Sequence, residues 1–318
     1  MSSNLSSRTI SILVPVYQNE LNLDHTFSRL QELKKSLSGR YKLNIVFVDD
    51  GSTDGSAAKL DLIQKNNNDF VRVLKFTRNF GQIAAIQAGF KHCNADLVGV
   101  ISADLQDPPE LFLNMISHYE DGNKLVIAER TDRDESYLQI MFSKFYWGLV
   151  NKIALPGYPT GGFDFCLVDK EIAQVLNGFS EKNTHIFPLI FSFGFPYKVI
   201  KYKRERREHG KSQWTLRKKI KLFLDTFIAF SYAPIRLISL IGIFVSSLSF
   251  LFAIYIVTSY LIQGNPYTGW TTLSTLTSFF GGLILLTLGL IGEYLWRILD
   301  QVRGRPLFIV KSDSQRSD

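Results

Sequence analysis

The sequence is poor in cysteine, and it has no leader-like apolar stretch at its start. Its two cysteines, Cys93 and Cys166, in a chain of 318 residues exclude a disulfide-stabilised scaffold, and we expect both to be reduced thiols. Residues 1–9 are polar and rich in serine, which predicts no secretory signal peptide. With 46% hydrophobic and 20% charged residues, the composition also excludes a disordered chain.

Several common cofactor motifs are missing as well. No Gly-x-Gly-x-x-Gly follows the first apolar run, so the dinucleotide-binding fingerprint is absent. Residues 210–212 read Gly-Lys-Ser like the end of a P-loop, but Glu205 stands where the first glycine of that loop belongs. The five histidines are scattered, without the spacing of a zinc site. These absences argue against nicotinamide, P-loop and zinc chemistry.

The net charge of +7 is concentrated in one segment. Residues 201–221 contain ten lysines and arginines against two glutamates, which suggests nucleic acid, a membrane surface or a phosphorylated substrate as partner. Two stretches without charge follow, residues 237–262 and 271–292, each long enough to cross a bilayer. A nucleic-acid partner would not explain why the basic segment lies directly before a stretch long enough to cross a membrane. We therefore expect a membrane bilayer as partner and no nucleic acid.

The flanks of these stretches predict the orientation in the membrane. Lysines and arginines lie outside both spans, and the short linker between them carries Tyr267 and Trp270, which suit a membrane interface. The positive-inside rule then places both termini and the preceding domain in the cytoplasm. A pair of buried core helices is the alternative.

Residues 216–230 show a one-sided apolar pattern opposite basic residues, which indicates an interfacial helix or an ordinary surface helix.

The first two hundred residues alternate between predicted strands and helices, which favours an α/β domain with a mostly parallel sheet. The predicted strands are residues 10–14, 43–48, 71–76, 97–101 and 125–128. Polar clusters follow them at residues 17–20, 49–54, 78–79 and 104–107. Because ligands of such sheets bind beyond the carboxyl ends of the strands, we expect one shared cleft. Its many carboxylates suit Mg²⁺ or Mn²⁺ held jointly with substrate phosphates.

Four ordered motifs resemble those of a known family. Residues 14–20 (VPVYQNE), 48–54 (VDDGSTD), 104–110 (DLQDPPE) and 204–212 (RERREHGKS), with the two C-terminal spans, resemble the family 2 glycosyltransferases of GT-A fold. The combination is similar to the polyprenyl-phosphate branch, which includes bactoprenol glucosyltransferases and dolichol-phosphate mannose synthases. The resemblance covers nearly the whole chain.

The resemblance implies a division into four parts. These are a cytoplasmic GT-A domain (1–213), an amphipathic interfacial region (214–235), two transmembrane helices (236–298) and a cytoplasmic tail (299–318). It implies inverting transfer of a hexose, with UDP-glucose as the expected donor, to a membrane polyprenyl phosphate for glycan or lipopolysaccharide modification. Transfer from GDP-mannose and a non-catalytic nucleotide-sugar-binding scaffold are the alternatives. A homo-oligomer is compatible with the sequence, which does not specify the oligomeric state.

By the same resemblance, one group of residues binds the nucleotide sugar. The expected residues are Pro15, Tyr17, Glu20, Asp49, Asp50, Arg130 and Arg133, with the two arginines facing the diphosphate. Turn formation and packing are the alternative for Pro15 and Tyr17, and a solvated surface pair is the alternative for the arginines. Asp50 and Asp54 could equally cap the next helix.

A second group is expected to hold the metal and the acceptor. Asp104 resembles the metal-binding aspartate, with Gln106 as its neighbouring ligand, and a helix cap is the alternative for Asp104 and the favoured interpretation for Asp107. Asp164 resembles a residue of the Asp-Phe-Arg-Leu segment near the acceptor, and we expect it to organise cationic groups there.

Arg204, Arg207 and Ser212 resemble a clamp for the acceptor phosphate, and attraction to lipid headgroups is the alternative for the arginines. Asp104, Asp164, Arg204 and Arg207 are therefore the catalytic candidates. Two positions depart from the family. Ser102 stands where some relatives have aspartate, and Cys166 stands where the family has arginine.

Overall fold

The protein is described here by a computed structural model, in which two compact units are made of residues 1–223 with 306–318 and of residues 224–305. The described residues are 8–104, 106–131, 148, 151–152, 155–159, 162–179, 185–203, 269–314 and scattered positions between 240 and 262.

Strands and helices alternate through the first unit. In chain order its described elements are β1 (Arg8–Val16), α1 (Leu23–Leu37), β2 (Tyr41–Asp49), α2 (Ser56–Asn66), β3 (Val71–Phe76), α3 (Gln82–His92), β4 (Leu97–Val100), α4 (Leu111–Glu120), β5 (Leu125–Arg130), β6 (Phe165–Asp169), α5 (Lys170–Asn177), α6 (Ile186–Ser192), β7 (Tyr197–Tyr202) and β8 (Val310–Asp313).

The eight strands form one mixed sheet in the order β7-β5-β6-β4-β1-β2-β3-β8. Strand β1 pairs in parallel with β2 and β4, β2 with β3, and β5 with β7. Strand β6 is antiparallel to both of its neighbours, and β8 is antiparallel to β3. The carboxyl ends of β1 to β5 and of β7, and the start of β6, therefore lie along one edge of the sheet, called the site edge below.

The central strands are apolar because both of their faces are covered. All four residues of β4 are buried, and β1 is buried from Ile10 to Val14, as expected for parallel strands between two helical layers. Helix α1 buries Leu23, Leu30 and Leu37 along one face, which follows the spacing of an amphipathic helix. This rigid core holds the polar loops at the site edge.

The five strands predicted from the sequence are all present, most of them extended by a residue or two at their ends. Strands β6, β7 and β8 were not predicted. Residues 299–318 were expected to be a tail, whereas Val310–Asp313 form an edge strand of this sheet. Four residues containing a lysine and an aspartate carry too weak a pattern to indicate a strand.

The second unit contains one long described helix, α7 (Trp270–Val302). Within it, Phe279–Val302 is long and apolar enough to cross a membrane, with a mean hydropathy of 1.6 and none of its apolar window buried. It is the one such helix in the described part of the chain. Of the predicted span at residues 237–262, scattered positions are described and these are helical. The interfacial helix at 214–235 lies wholly outside the described residues. The first span and the interfacial helix therefore stay predictions.

Candidate active site

The loops after β1 and β2 are joined by hydrogen bonds. The backbone N–H of Gln18, which has a φ of 53°, donates to the Ser52 hydroxyl at 3.1 Å. The N–H of Gly55 donates to Glu20 Oε2 at 2.9 Å, and the N–H of Glu20 donates to Asp54 Oδ2 at 3.3 Å. Glu20 is thus held at both its side chain and its backbone by the loop after β2, and Asp54 accepts the backbone bond.

Two neighbouring carboxylates at the end of β2 have different surroundings. Asp49 is 3% exposed, and its Oδ1 accepts a hydrogen bond from the Ser52 N–H at 3.1 Å. Asp50 is 2% exposed and accepts from the N–H groups of Phe80 at 2.6 Å and Gly81 at 2.8 Å. Burial raises the pKa of Asp50, although these two donors oppose the shift. Asp50 therefore holds the start of α3, and not the start of α2 that the sequence suggested as an alternative.

Pro15 and Tyr17 lie where the resemblance places a nucleotide pocket. Pro15 is half-buried and pairs with Val48, and Tyr17 follows β1 directly and is also half-buried. Because β1 and β2 are adjacent and parallel, both residues stand at the site edge beside Asp49. The position agrees with either role that the sequence left open.

Asp104 follows β4 and is 8% exposed. Its Oδ1 accepts a hydrogen bond from the backbone N–H of Gln106 at 3.4 Å, so the backbone of one expected metal-binding residue contacts the side chain of the other. Among the described residues, no group of three His, Cys, Asp or Glu side chains is placed to hold a metal ion.

Arg130 and Asp164 form an ion pair at the site edge. Arg130 ends β5 and Asp164 immediately precedes β6, and the pairing of Ala128 with Phe165 aligns them. Burial would lower the pKa of the Arg130 guanidinium, but the carboxylates of Asp164 and Asp107 outweigh it and raise that pKa. Sequence reasoning assigned these two residues separate roles, and the structure joins them in one charged group.

Asp107 contacts a residue that the sequence analysis missed. The Tyr202 hydroxyl donates a hydrogen bond to Asp107 Oδ1 at 2.5 Å, and Asp107 is 1% exposed. Burial raises the pKa of Tyr202, and Asp107 raises it further, so the phenol stays protonated and donates. Helix α4 begins at Leu111 with Glu110 in the N-cap position. A tyrosine at the end of an unpredicted strand gives no sequence signal of this contact.

Arg133, Arg204, Arg207 and Ser212 lie outside the described residues. The diphosphate role of Arg133 and the acceptor clamp therefore stay predictions. Strand β7 ends at Tyr202, only two positions before Arg204, so the described site reaches the start of the basic segment.

Cys166 stands where the resemblance leads one to expect arginine. It is fully buried in β6, paired with Val100 and Ile127 on the neighbouring strands. Burial raises the pKa of the thiol, so Cys166 is a neutral core residue and supplies no positive charge to the site edge.

Similar proteins identify the family to which this chain belongs. Residues 11–176 match the family model "Glycosyl transferase family 2". The uncharacterized glycosyltransferase YkcC of Bacillus subtilis (strain 168) is 35% identical over 95% of this chain and 93% of its own length. The bactoprenol glucosyl transferase of Shigella phage SfV is 33% identical over 96% of this chain and 99% of its own.

Among solved structures, the mannosyltransferase PcManGT from Pyrobaculum calidifontis aligns with 89% of this chain and 88% of its own at 15% identity, with a TM-score of 0.46. The family match and the near-complete coverage by relatives above 30% identity make the relationship plain. The chain belongs to glycosyl transferase family 2 and is a glycosyltransferase.

Proposed function

We propose that this protein transfers a hexose from a nucleotide sugar to a polyprenyl phosphate in the membrane, with UDP-glucose as donor and inversion at the anomeric carbon. The names of several relatives support the acceptor class, since the phage proteins of similar length are bactoprenol glucosyl transferases. The product would be a β-linked glycosyl phosphate from an α-linked donor.

The observation that carries the proposal is the contact between the Asp104–Asp107 loop and the end of β7. Through the Asp107–Tyr202 hydrogen bond, the acidic loop meets the strand that leads into the basic segment at residues 201–221. An enzyme that joins two phosphorylated substrates needs such a neighbourhood, because it must bring two anions together. The acidic side suits a cation-bound diphosphate and the basic side suits an acceptor phosphate.

The acceptor phosphate is already a nucleophile, so the protein does not need a general base to activate it. A phosphate monoester has its second pKa near 6 and is mostly dianionic at neutral pH. One of its oxygens attacks the anomeric carbon, the bond from that carbon to the nucleoside diphosphate breaks, and the diphosphate leaves. Catalysis then consists mainly of orientation and charge stabilisation. In this scheme Asp164 organises Arg130 and does not need to remove a proton.

The residues at the site fit a divalent metal in one specific way. Asp104 offers a nearly buried carboxylate and Gln106 an amide oxygen, which are hard oxygen ligands of the kind that Mg²⁺ and Mn²⁺ prefer. With Ser102 in place of a second aspartate, the remaining ligands would be donor phosphate oxygens and water. A bound ion would neutralise charge on the diphosphate as it leaves.

We place the site on the cytoplasmic side of the membrane. The apolar helix Phe279–Val302 supports membrane attachment, and the basic segment before residue 222 would bring the site to headgroup level. This arrangement matches the chemistry, because a polyprenyl chain does not leave the bilayer and its phosphate stays at the surface.

The test is a transfer assay with the full-length protein in lipid. Radiolabelled UDP-glucose, polyprenyl phosphate and Mg²⁺ are mixed with the protein, and label is followed into the lipid phase. We expect label in a phosphate-linked β-glucosyl lipid. In a parallel reaction with labelled GDP-mannose, transfer from that donor alone would show that the donor sugar is mannose. A product of retained configuration would refute inversion. No transfer from any nucleotide sugar would refute the proposal.

A further inference from the structure

The C-terminal segment, residues 306–314, returns to the catalytic sheet and is held there by a paired charge. Arg72 on β3 donates from Nε to Asp313 Oδ1 at 2.9 Å and from Nη2 to Asp313 Oδ2 at 2.6 Å. The Asp313 side chain is only 7% exposed. A two-bonded arginine–carboxylate pair in such surroundings fixes geometry better than an exposed ion pair does. The segment is therefore held in one register.

The other end of this segment contacts the residues that lead into the donor loop, residues 77–81. The N–H of Thr77 donates to the carbonyl of Ile309 at 3.1 Å. The ring of Phe308 stacks on Phe76 with centroids 5.2 Å apart, and Phe76 meets Phe80 edge-on at 5.7 Å. Three aromatic rings thus connect the C-terminal segment to the donor loop.

The donor loop is in turn fastened to the turn after β2. Its N–H groups at Phe80 and Gly81 are the two donors to Asp50. A Cβ placed on Gly51 would lie 2.4 Å from the carbonyl carbon of Arg78, so the two backbones are in direct contact. The guanidinium of Arg78 lies 4.1 Å from the centroid of the Phe80 ring. The positive charge of Arg78 also acts on the Asp50 carboxylate, where it opposes the rise of that pKa. The loop therefore presents a cation close to Asp50.

We propose that the C-terminal segment is a positioning element of the nucleotide-sugar site. Phe308 acts through Phe76 and Phe80 to hold the donor loop against Asp50, with Arg78 directed at the donor diphosphate. The inference rests on the proposed function, because it takes the edge formed by β1, β2 and β3 as the place where the nucleotide binds. It adds that residues about 230 positions later in the chain are needed to shape that place.

The physical reason is preorganisation. A loop that is already held in its binding conformation loses less conformational entropy when the ligand arrives. Aromatic pairs of this geometry contribute on the scale of a three- to tenfold change in an equilibrium constant. Losing the Phe308 ring should therefore weaken donor binding by about that factor, without touching the acceptor.

The experiment measures binding of UDP and of GDP to the full-length protein in detergent with Mg²⁺, by titration calorimetry. For Phe308→Ala we expect the dissociation constant of the bound nucleotide to rise about three- to tenfold, and Phe308→Tyr should restore it. Asp313→Asn weakens the anchor without removing a ring and should shift the constant in the same direction. Phe193→Ala is the matched control, because Phe193 is a half-buried ring that packs against Phe179 in a tilted pair, with ring centroids 5.3 Å apart, and is distant in sequence from the donor loop.

Hydrogen exchange on the same variants separates positioning from general loosening. In Phe308→Ala the amides of residues 79–81 should exchange several-fold faster, whereas those of β1 should not change. If the wild type binds neither nucleotide, the proposed function fails and this inference with it. If the wild type binds and Phe308→Ala binds equally well, or if Phe193→Ala weakens binding as much, the inference alone is wrong.

Discussion

Tyr202 donates a hydrogen bond of 2.5 Å to Asp107, a residue 95 positions earlier in the chain. The bond joins the loop after β4 to the end of β7, two strands that are not neighbours in the sheet. Arg130 and Asp164 lie in the same charged group, since the carboxylates of Asp107 and Asp164 both act on the Arg130 guanidinium. The acidic loop and the strand before the basic segment thus form one charged cluster.

Replacing Tyr202 with phenylalanine tests this cluster. The change keeps the edge-on contact with Phe165, whose ring centroid lies 5.8 Å away, but leaves Asp107 without that donor. A buried carboxylate that loses such a bond costs about 1–3 kcal/mol of stability. We expect a lower unfolding temperature in detergent and a transfer rate reduced about tenfold or more, with nucleotide affinity nearly unchanged.

Tyr119→Phe is the control for that variant. The Tyr119 hydroxyl donates to Asp169 Oδ2 at 2.9 Å, and Asp169 pairs with Leu97 at the edge of the sheet opposite the site. Its loss should lower stability by a smaller amount, because Tyr119 and Asp169 are half-buried whereas Asp107 is buried, and it should leave transfer intact. Equal transfer losses in the two variants would show that Tyr202 contributes only to the fold.

The turn after β2 predicts a specific effect of Gly51→Ala. Gly51 has a φ of +68°, and an added Cβ would lie 2.4 Å from the backbone of Arg78. Gly39 has a φ of +85°, and a Cβ added there would meet no atom within 4 Å. Both alanine variants introduce about 1 kcal/mol of backbone strain, but only Gly51→Ala also displaces the donor loop. We expect weaker nucleotide binding by calorimetry for Gly51→Ala alone, and unchanged affinity there would contradict the packing argument.

His185 gives the stability a pH dependence. Burial lowers its pKa to about 4, although Asp164 opposes the shift. Below its unfolded pKa near 6.5, the unfolded chain gains a proton that the folded protein does not, so stability is complete above that pH and falls as the pH drops towards 4. We expect about 1–2 kcal/mol to be lost between pH 7 and pH 5. Thermal melts at both pH values should show a smaller drop for His185→Gln, and an equal drop would assign the effect to other groups.

The sequence predicted much of the catalytic half, because its signals are local. The strands β1 to β5 are apolar runs that end in polar residues, and parallel pairing brings those ends together. Asp49 and Asp104, which end or follow such runs, were enough to predict that the polar loops share one edge of the sheet, and the structure brings them to that edge.

What the sequence could not predict depends on contacts between distant segments. Strand β6 is antiparallel inside a mostly parallel region, so the meeting of Arg130 and Asp164 follows only from its register. Asp50 binds the backbone just before α3, 30 residues later in the chain, and Asp313 returns to Arg72 across 241 residues. No periodicity in the chain encodes such pairings.

Asp104→Ala tests the metal assignment. If Asp104 supplies the protein carboxylate of a metal site that the donor completes, its loss should abolish the Mn²⁺-dependent part of nucleotide binding and leave the weak metal-free binding in place. Calorimetric titrations with Mn²⁺ and with a chelator measure the two parts separately. Asp69→Ala removes an exposed carboxylate and should change neither. Unchanged Mn²⁺-dependent affinity in Asp104→Ala would refute the assignment.

The division of labour between the two substrates is tested by reversing charges in the basic segment. If Arg204 and Arg207 hold the acceptor phosphate, the double variant Arg204→Glu/Arg207→Glu repels a dianion from the position where it attacks, and transfer to polyprenyl phosphate should fall about 100-fold or more. Nucleotide affinity should stay nearly intact, because the two arginines are expected to bind the acceptor phosphate and not the nucleotide sugar. Reversing two charges on α1, Lys34→Glu/Lys35→Glu, controls for net charge and should preserve transfer. Transfer assays and UDP calorimetry on both variants decide the matter, since equal losses of transfer and of nucleotide binding would contradict separate sites for the two phosphates.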